Sequence, residues 1–426
     1  MTTAHRYGSI TLVCLVVANM IGAGVYTTSG FTLATFSSNA EMVIAAWIAG
    51  GIIALSGAYS YGKLICVMPE SGGEYFFLSR AAHPSLGYIA GWVSLIAGFT
   101  GAIAFAAAAM ESYLRPENSA IPPDLIAISA IILAGCAHGF HPKLGSSLQN
   151  VFVALKIFLL LAFIGFALTQ VSEKAPSISP GTTMPSLSTF AGALVWISLS
   201  YAGFNAAVYI AEETNNPRKT VSRSLLIGTL IVTTLYIVLN FVFVISVRYE
   251  GAGKPDIAAI AAEHLGGAGL GAIVRGIIAL SLFTSVTSMM LAAPRVYAKM
   301  AEDGFLPRPL RRGENHPRFA IAAQCILAML FVLGSSLRDL LGYLGLTLSL
   351  CSALSVSCLF LPSIRRKFTS PLTLIPPAFF VLCTLTSSMF MISNQPGQLA
   401  ATAGTVVLGG IMYALTKGQN ISKPKP

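Results

Sequence analysis

Long apolar runs recur along the whole chain and constrain its fold more than any other feature. A helix needs about 20 residues to cross roughly 30 Å of hydrocarbon, and we count twelve runs of about that length. Only 10% of the 426 residues are charged, against about 25% in soluble domains, so an all-α multi-pass membrane protein is predicted. The predicted spans are residues 9–36, 41–66, 86–112, 123–140, 147–170, 187–212, 222–247, 268–298, 319–336, 339–361, 371–392 and 398–416.

The positively charged residues predict the orientation of these spans. Eighteen of the 26 lysine and arginine residues fall on the side of the N-terminus, five on the opposite side and three within spans. Cytoplasmic loops carry the excess of basic residues, and an even number of spans puts both termini on one side. We therefore expect an integral plasma (inner) membrane protein with both termini in the cytoplasm. A basic excess placed in this way argues against nucleic acid as a partner.

Two predicted spans have small and polar residues at their centres. Span 1 contains Asn-Met-Ile-Gly-Ala-Gly-Val-Tyr at 19–26, and span 6 contains Ser-Leu-Ser-Tyr-Ala-Gly-Phe-Asn at 198–205. Gly22 and Gly203 are 181 positions apart, and so are the predicted starts of spans 2 and 7. This constant offset predicts two five-span halves with two helices added at the end. The first half, the second half and the added helices are residues 8–180, 185–361 and 371–416.

A helix that breaks inside the bilayer leaves backbone groups without intrahelical partners, which is tolerated only where protein or a wet cavity satisfies them. Amides at 22–26 would present a positive dipole end to a carboxylate. Carbonyls that end the first half-helices would accept hydrogen bonds from an ammonium group, so the two breaks predict a zwitterion site. Glycines that merely permit close helix packing are the alternative, which the matched positions in both halves weaken. The carbonyls that would bind the ammonium group belong to Ala18, Asn19, Leu199 and Ser200.

Four motifs in order carry a resemblance to a known family. Residues 21–26 match I-G-[SAT]-G-[IV]-[FY], and residues 69–75 match P-x-S-G-G-x-Y. Residues 200–219 resemble a span 6 that continues as E-[ED]-x-x-N-P-x-[KR], and residues 295–307 match R-x-x-x-x-[ML]-A-x-[DE]-G-x-x-P. From about residue 8 to residue 361, the chain resembles the amino acid, polyamine and organocation permease superfamily, most closely its L-type amino acid transporter branch.

The resemblance implies a LeuT-type five-plus-five inverted repeat, with helices 1 and 6 broken, that carries α-amino acids by alternating access. It would place the substrate carboxylate on the amides of Gly22, Ala23 and Gly24. The L-type branch commonly has an aromatic gate just before the break, where this chain has Leu199, so the outer gate stays unassigned. The substrate-binding residues that the resemblance implies are Ile21, Gly22, Ala23, Gly24, Leu199, Ser200, Tyr201, Gly203, Phe204 and Asn205.

Lys156 lies about ten residues into span 5. A charge near the bilayer centre costs roughly 2.5 to 3.5 kcal/mol on insertion scales and needs a partner. Carbonyls of the span 1 break, or hydroxyls of span 8, are the candidates. There the ammonium would act as a bound sodium ion does in related folds, some of which carry a lysine at this place. Snorkelling to the interface, or loss of the proton in a proton-coupled cycle, are the alternatives.

Further candidates lie on spans 7 and 8. Tyr236, in the middle of span 7, could hydrogen-bond the unwound segment or any other carbonyl nearby. The hydroxyls offered to Lys156 by span 8 are those of Ser281, Thr284 and Ser285. We find no phosphate-binding loop, nucleophile elbow or paired carboxylates, so neither an enzyme nor a cofactor or metal is predicted.

The sequence thus predicts a secondary transporter for small, neutral L-amino acids that works as a sodium-independent exchanger. A proton-coupled symporter, a polyamine carrier and a non-transporting amino acid sensor are the alternatives. A polyamine lacks the carboxylate that the span 1 amides would bind, and a sensor would be expected to carry a signalling domain or a long tail. The resemblance implies that a disulfide-linked heavy subunit would attach through a cysteine in the loop between spans 3 and 4, as in some L-type relatives. That loop, residues 113–122, contains no cysteine, so no such subunit is expected.

Overall fold

The architecture is helical throughout the part of the chain that the structure describes. A computed structural model describes residues 7–115, 120–140, 142–174, 184–247, 250–302, 304–306, 316–368 and 370–417. Within these ranges there is no β-strand, only an isolated bridge between Tyr7 and Thr214. The predicted all-α class is confirmed.

Sixteen α-helices and a few tighter or wider helical turns make up these ranges. Most of the long ones lie within or around the apolar runs, as expected where backbone groups must bond internally because the surrounding lipid offers no partners. In chain order the α-helices are α1 (Ser9–Met20), α2 (Ala23–Thr35), α3 (Ala40–Val67), α4 (Gly73–Ala81), α5 (Pro84–Val93), α6 (Ala102–Leu114), α7 (Leu125–Phe140), α8 (Pro142–Lys174), α9 (Leu187–Tyr201), α10 (Pro217–Ser246), α11 (Ile257–Glu302), α12 (His316–Gly334), α13 (Leu337–Ser357), α14 (Pro362–Arg365), α15 (Ile375–Asn394) and α16 (Pro396–Lys417). A π-helical segment (Ser94–Gly101) joins α5 to α6, and a 3-10 segment (Ala206–Glu213) follows α9.

Eight helical stretches among the described residues are long and apolar enough to cross a membrane. The pair α1 and α2 passes the same test when taken together, although the two helices are bent by 41°. Shorter apolar helices of 10 to 17 residues lie at Leu125–His138, Ala154–Gln170 and Arg318–Gly334. The chain is therefore an integral, multi-pass membrane protein.

Helices α2 and α9, which adjoin the two candidate breaks, lie inside the bundle. Helix α9 packs against α2, α3, α13 and α15, while α10 packs against α1 and α3. Small residues permit these approaches: a methyl group on Gly50 of α3 would lie 2.5 Å from the Ile197 side chain, and one on Gly51 would lie 2.4 Å from that of Thr233. Close backbone approach at small residues is the usual way in which membrane helices pack, and here it brings α3, α9 and α10 together.

Candidate functional site

The first interruption lies between α1 and α2. Helix α1 ends at Met20 and α2 begins at Ala23; Ile21 has ψ 89°, and Gly22 is extended with φ −131° and ψ −160°. The first N–H groups of a helix have no intrahelical acceptor, and those of α2 begin at this two-residue gap. Ala23 and Gly24 are buried. Unpaired, buried N–H groups at a helix N-terminus suit an anionic group such as a carboxylate.

Two side chains from other helices satisfy the carbonyls at the end of α1. The Lys156 ammonium of α8 donates a hydrogen bond to the Ile21 carbonyl. The Tyr236 hydroxyl of α10 donates to the Met20 carbonyl at 2.5 Å. Lys156 is only 4% exposed and Tyr236 is fully buried. The first interruption is therefore held by residues 135 and 216 positions away along the chain.

The hydroxyl groups predicted to face Lys156 lie on α11, which packs against α8. Ser281, Thr284 and Ser285 are all buried. The hydroxyls of Thr284 and Ser285 donate to the Ser281 carbonyl of their own helix, at 2.7 and 3.2 Å. The hydrogen bond described for Lys156 goes to α1 instead, so a bridge from Lys156 to α11 stays a prediction.

The second interruption closes on itself. Helix α9 ends at Tyr201, and the 3-10 segment begins at Ala206. The Ala202 N–H donates to the Leu199 carbonyl at 3.0 Å, and the Ala206 N–H donates to the Gly203 carbonyl at 3.0 Å. Gly203 has φ +100°, in a region that glycine enters readily and other residues do not. Local turns therefore satisfy carbonyls here that a continuous helix would have bonded.

The two interruptions lie against each other. A Cβ atom added to Gly203 would lie 2.9 Å from the carbonyl of Asn19, and one added to Gly24 would lie 2.6 Å from the Cα atom of Ser200. The Ser200 and Thr28 hydroxyls are 3.0 Å apart. The structure thus brings the amide end of α2 next to the carboxyl end of α9. This pairing places dipoles of opposite sign within reach of one small zwitterion.

A buried polar network beside the interruptions was missed by the sequence reasoning. The Trp47 ring lies 5.7 Å from the Tyr201 ring and 5.5 Å from the Tyr236 ring, centroid to centroid. The Trp47 indole N–H donates to the Ser29 hydroxyl at 2.9 Å, and that hydroxyl donates to the Asn240 side-chain oxygen. An amide in an apolar span is a functional hypothesis by default, so Asn240 could have been found from the sequence.

Two residues assigned to substrate binding by the resemblance, Phe204 and Asn205, contact other side chains of the protein. The Phe204 ring packs against the rings of Tyr61 and Phe380, at centroid distances of 5.4 and 6.2 Å. The Asn205 amide donates to the Glu74 carboxylate at 2.5 Å. The described contacts of both side chains are therefore with α3, α4 and α15. Their assignment to the substrate stays untested, and the contact with Glu74 gives Asn205 a different role to examine.

The fold and the paired interruptions define a class: a multi-pass membrane protein whose buried backbone groups suit a small charged solute. Comparison with known proteins identifies the family. A family model described as amino acid permease matches residues 7–415. The chain belongs to the amino acid permease family, whose members move amino acids across membranes and are transporters rather than enzymes.

Individual relatives agree with this membership. The chain is similar to the serine/threonine exchanger SteT of Bacillus subtilis, with 26% identity over 77% of this chain and 76% of that protein. The b(0,+)-type amino acid transporter 1 of Mus musculus is 25% identical over 98% of this chain and 90% of its own length. The branched-chain amino acid permease BcaP of Lactococcus lactis is 25% identical over 74% and 72%.

Proposed function

We propose that this protein carries small, neutral L-amino acids by alternating access and exchanges them across the membrane without sodium. The observation that supports this most is the first interruption, where the first amides of α2 lie beside a carbonyl that accepts a hydrogen bond from the buried Lys156 ammonium. An α-amino acid carries the carboxylate that those amides suit. Two relatives that match this chain are named for serine/threonine and for branched-chain amino acids, whose side chains are uncharged.

The proposed architecture has twelve spans. Eight long helical stretches, the bent pair α1 and α2, and three shorter apolar helices supply that number of candidates among the described residues. Spans 1 and 6 would be the broken ones of a five-plus-five inverted repeat with two further helices. The repeats and the added helices would be residues 8–180, 185–361 and 371–416. The distribution of basic residues supports cytoplasmic termini.

In the proposed binding mode, the amides of Gly22, Ala23 and Gly24 receive the substrate carboxylate. The substrate ammonium would meet carbonyls of Ile21, Leu199, Ser200 and Gly203. Three of these carbonyls already accept one hydrogen bond each, from Lys156, Ala202 and Ala206, and a carbonyl oxygen has two lone pairs. The substrate would therefore add a second bond to a carbonyl that the fold has already fixed in place.

Lys156 supports independence from sodium. A carbonyl at the end of a half-helix carries a partial negative charge, and Lys156, which is part of the chain itself, donates a hydrogen bond to the carbonyl of Ile21. In this role the lysine would replace a bound sodium ion at the segment between α1 and α2. Transport would then not depend on a sodium gradient. The protein would then move one amino acid in exchange for another.

Transport by reconstituted protein tests the proposal. Purified protein in liposomes would be supplied with labelled serine, threonine or leucine outside, with and without sodium, a pH gradient and unlabelled substrate inside. We expect uptake that requires internal substrate and is unchanged when sodium is replaced by potassium. Lysine, glutamate and a polyamine would serve as charged comparisons and are expected to compete weakly.

Each other outcome rejects a definite part of the proposal. Uptake that requires sodium would remove the role given to Lys156. Equal uptake into empty liposomes would remove exchange, and uptake driven by a pH gradient alone would make the protein a proton-coupled symporter. Binding of amino acids without any flux would make it a sensor.

The proposed transporter needs no disulfide-linked partner. The loop between spans 3 and 4, residues 113–122, contains no cysteine that could form such a link. A non-reducing gel of membranes tests this, and a band that shifts to higher mass and collapses on reduction would contradict it.

A further inference from the structure

A buried carboxylate outside the proposed substrate site joins three separate segments of the chain. Glu74, in the first turn of α4, is 5% exposed. Its Oε1 atom accepts hydrogen bonds from the Tyr61 hydroxyl at 2.7 Å and from the Asn205 amide at 2.5 Å. Its Oε2 atom accepts one from the Tyr209 hydroxyl at 2.6 Å. We refer to these four residues as the carboxylate cluster.

The carboxylate cluster needs all of its segments in place. Burial of a carboxylate is costly unless hydrogen bonds replace those of water, and hydrogen bonds to an ionised acceptor are stronger than neutral ones. Tyr61 belongs to α3 and Glu74 to α4, while Asn205 is the last residue of the second interruption and Tyr209 belongs to the 3-10 segment that follows it. If the stretch from Asn205 to Tyr209 moved away, Glu74 would lose two donors at once and water would have to replace them.

Backbone contacts tighten the same junction. A Cβ atom added to Gly73 would lie 2.4 Å from the ring of Tyr209. The Glu212 N–H donates to the Ser71 hydroxyl at 3.0 Å. The loop after α3 therefore docks directly on the 3-10 segment that follows α9. A carboxylate at the centre of such a contact can exchange protein donors for water, which makes the contact reversible.

We propose that Glu74 is a positioning residue of the transport cycle: the carboxylate cluster locks the segment after the second interruption to the loop after α3. The lock is closed in this structure and opens when substrate passes on the side of that loop, which is the cytoplasmic side in the proposed orientation. Asn205 then belongs to the lock and acts on substrate passage through Glu74. The inference rests on the proposed alternating access.

The chain contains a reporter beside the lock. Cys351 of α13 lies near Glu74 and Tyr209, where α13 packs against α4, and it is partly buried. Its rate of alkylation by a water-soluble maleimide, read by mass spectrometry of the peptide, reports whether this junction is open. Cys325 of α12, also partly buried, serves as the internal reference in the same sample.

The variant Glu74→Gln keeps the size of the side chain but removes its charge, so the charge-assisted hydrogen bonds of the cluster become weaker, neutral ones. We expect Cys351 to react at least threefold faster relative to Cys325. Loss of the nearby Glu74 charge alone also favours the Cys351 thiolate, so an increase in Tyr209→Phe, which keeps that charge, is required for opening of the junction to be the cause. Glu70→Gln is the matched control, since Glu70 is an exposed carboxylate in the same loop, and it should leave the ratio unchanged. Tyr209→Phe removes one donor, and a smaller increase in the same direction is expected.

Transport supplies a readout that a merely structural role would not change. If the lock sets the balance between the two facing states, Glu74→Gln shifts the apparent KM for substrate in opposite directions on the two sides of the membrane. The melting temperature should stay within a few degrees of that of the unaltered protein. A structural defect would instead lower the melting temperature and weaken transport from both sides alike.

Three results would overturn the inference. A folded Glu74→Gln protein with unchanged Cys351 reactivity and unchanged KM values has no lock at this position. Equal acceleration at Cys351 and Cys325 indicates general loosening. If Glu74→Gln does not fold, an unchanged ratio in Tyr209→Phe decides against the lock. Faster Cys351 labelling in a protein that carries no amino acid would refute the proposed function and leave the junction's opening established.

Discussion

The two interruptions differ in which groups donate hydrogen bonds to their backbone carbonyls. At the first one, the Met20 and Ile21 carbonyls accept hydrogen bonds from the side chains of Tyr236 and Lys156, which come from α10 and α8. At the second one, main-chain turns close the gap and Gly203 supplies the left-handed backbone. The first interruption is therefore a product of tertiary structure, and the second is largely encoded in its own residues.

The difference teaches how each interruption can respond to movement. The first interruption is bonded by side chains of α8 and α10, so its backbone changes when either helix moves. A gap closed by its own turns keeps its shape while the segments on either side move. Substitutions at the two interruptions should accordingly have different effects. At the first interruption we expect loss of transport with the fold retained, and at the second we expect loss of folding.

The largest effect is expected for Gly203→Ala. A methyl group there must occupy a positive-φ conformation, which costs an L-residue roughly 1–2 kcal/mol, and it would lie 2.9 Å from the Asn19 carbonyl. We expect the yield of folded protein in detergent to fall several-fold or to vanish, as measured by monodisperse gel-filtration recovery. Gly165→Ala is the control, because nothing lies within 4 Å of a methyl group at that helical position; a similar loss there would contradict the explanation.

The second largest effect is expected for Lys156→Met, which should reduce transport. The substitution keeps much of the side chain's apolar length but leaves the buried Ile21 carbonyl without its donor, a penalty of about 1–3 kcal/mol. We expect at least a tenfold loss of exchange in liposomes, normalised to folded protein. Lys63→Met is the control, as Lys63 is partly exposed and lies over the Tyr59 ring. Normal exchange by Lys156→Met would show that the ammonium is dispensable at the first interruption.

Tyr236→Phe tests the second side-chain hydrogen bond at the first interruption and should have a smaller effect. It removes a neutral hydrogen bond to the Met20 carbonyl, worth roughly 0.5–1.5 kcal/mol, which corresponds to about a two- to tenfold change in an equilibrium. We expect exchange to fall by about fivefold. Tyr343→Phe removes a comparable buried bond, 2.7 Å from the Thr405 hydroxyl, and should leave exchange nearly unchanged; equal losses in both variants would point to general destabilisation.

Ser200→Ala probes the contact between the interruptions and should have the smallest effect. It removes the 3.0 Å hydroxyl contact with Thr28 but no backbone bond. We expect about a twofold change in the apparent KM for substrate and an unaltered melting temperature. On the same helix, Ser198 donates only to the Leu194 carbonyl, so Ser198→Ala is the comparison. A loss above tenfold in Ser200→Ala would mean that its hydroxyl contacts the substrate directly.

The sequence predicted the helices well because apolar length is a property of each segment alone. The predicted start of span 8 at residue 268 instead falls beside a change of direction at Gly267, where φ is +79°, inside a helix that already begins at Ile257. Polar Glu263 and His264 interrupt the apolar run there, which hides the first ten residues from a count of hydropathy. Length and hydropathy locate the membrane core of a helix better than its ends.

Site residues were predictable to the extent that their chemistry is unusual for their place. Lys156 was found because a charge in an apolar run demands a partner, but its partner could be narrowed only to carbonyls of one span or hydroxyls of another. Trp47 offered no such signal, because an indole in a membrane helix is common. Its hydrogen bond to Ser29 depends on how α2 meets α3, which no local pattern specifies.

By itself, the sequence determined that the chain is an integral, multi-pass membrane protein, and it predicted an interruption at two points, since both follow from the solvation of neighbouring residues. Only the tertiary structure decided that Lys156 and Tyr236 donate to the carbonyls of the first interruption and that Asn205 donates to Glu74. Hydrogen bonds between residues more than a hundred positions apart depend on distances that packing alone sets.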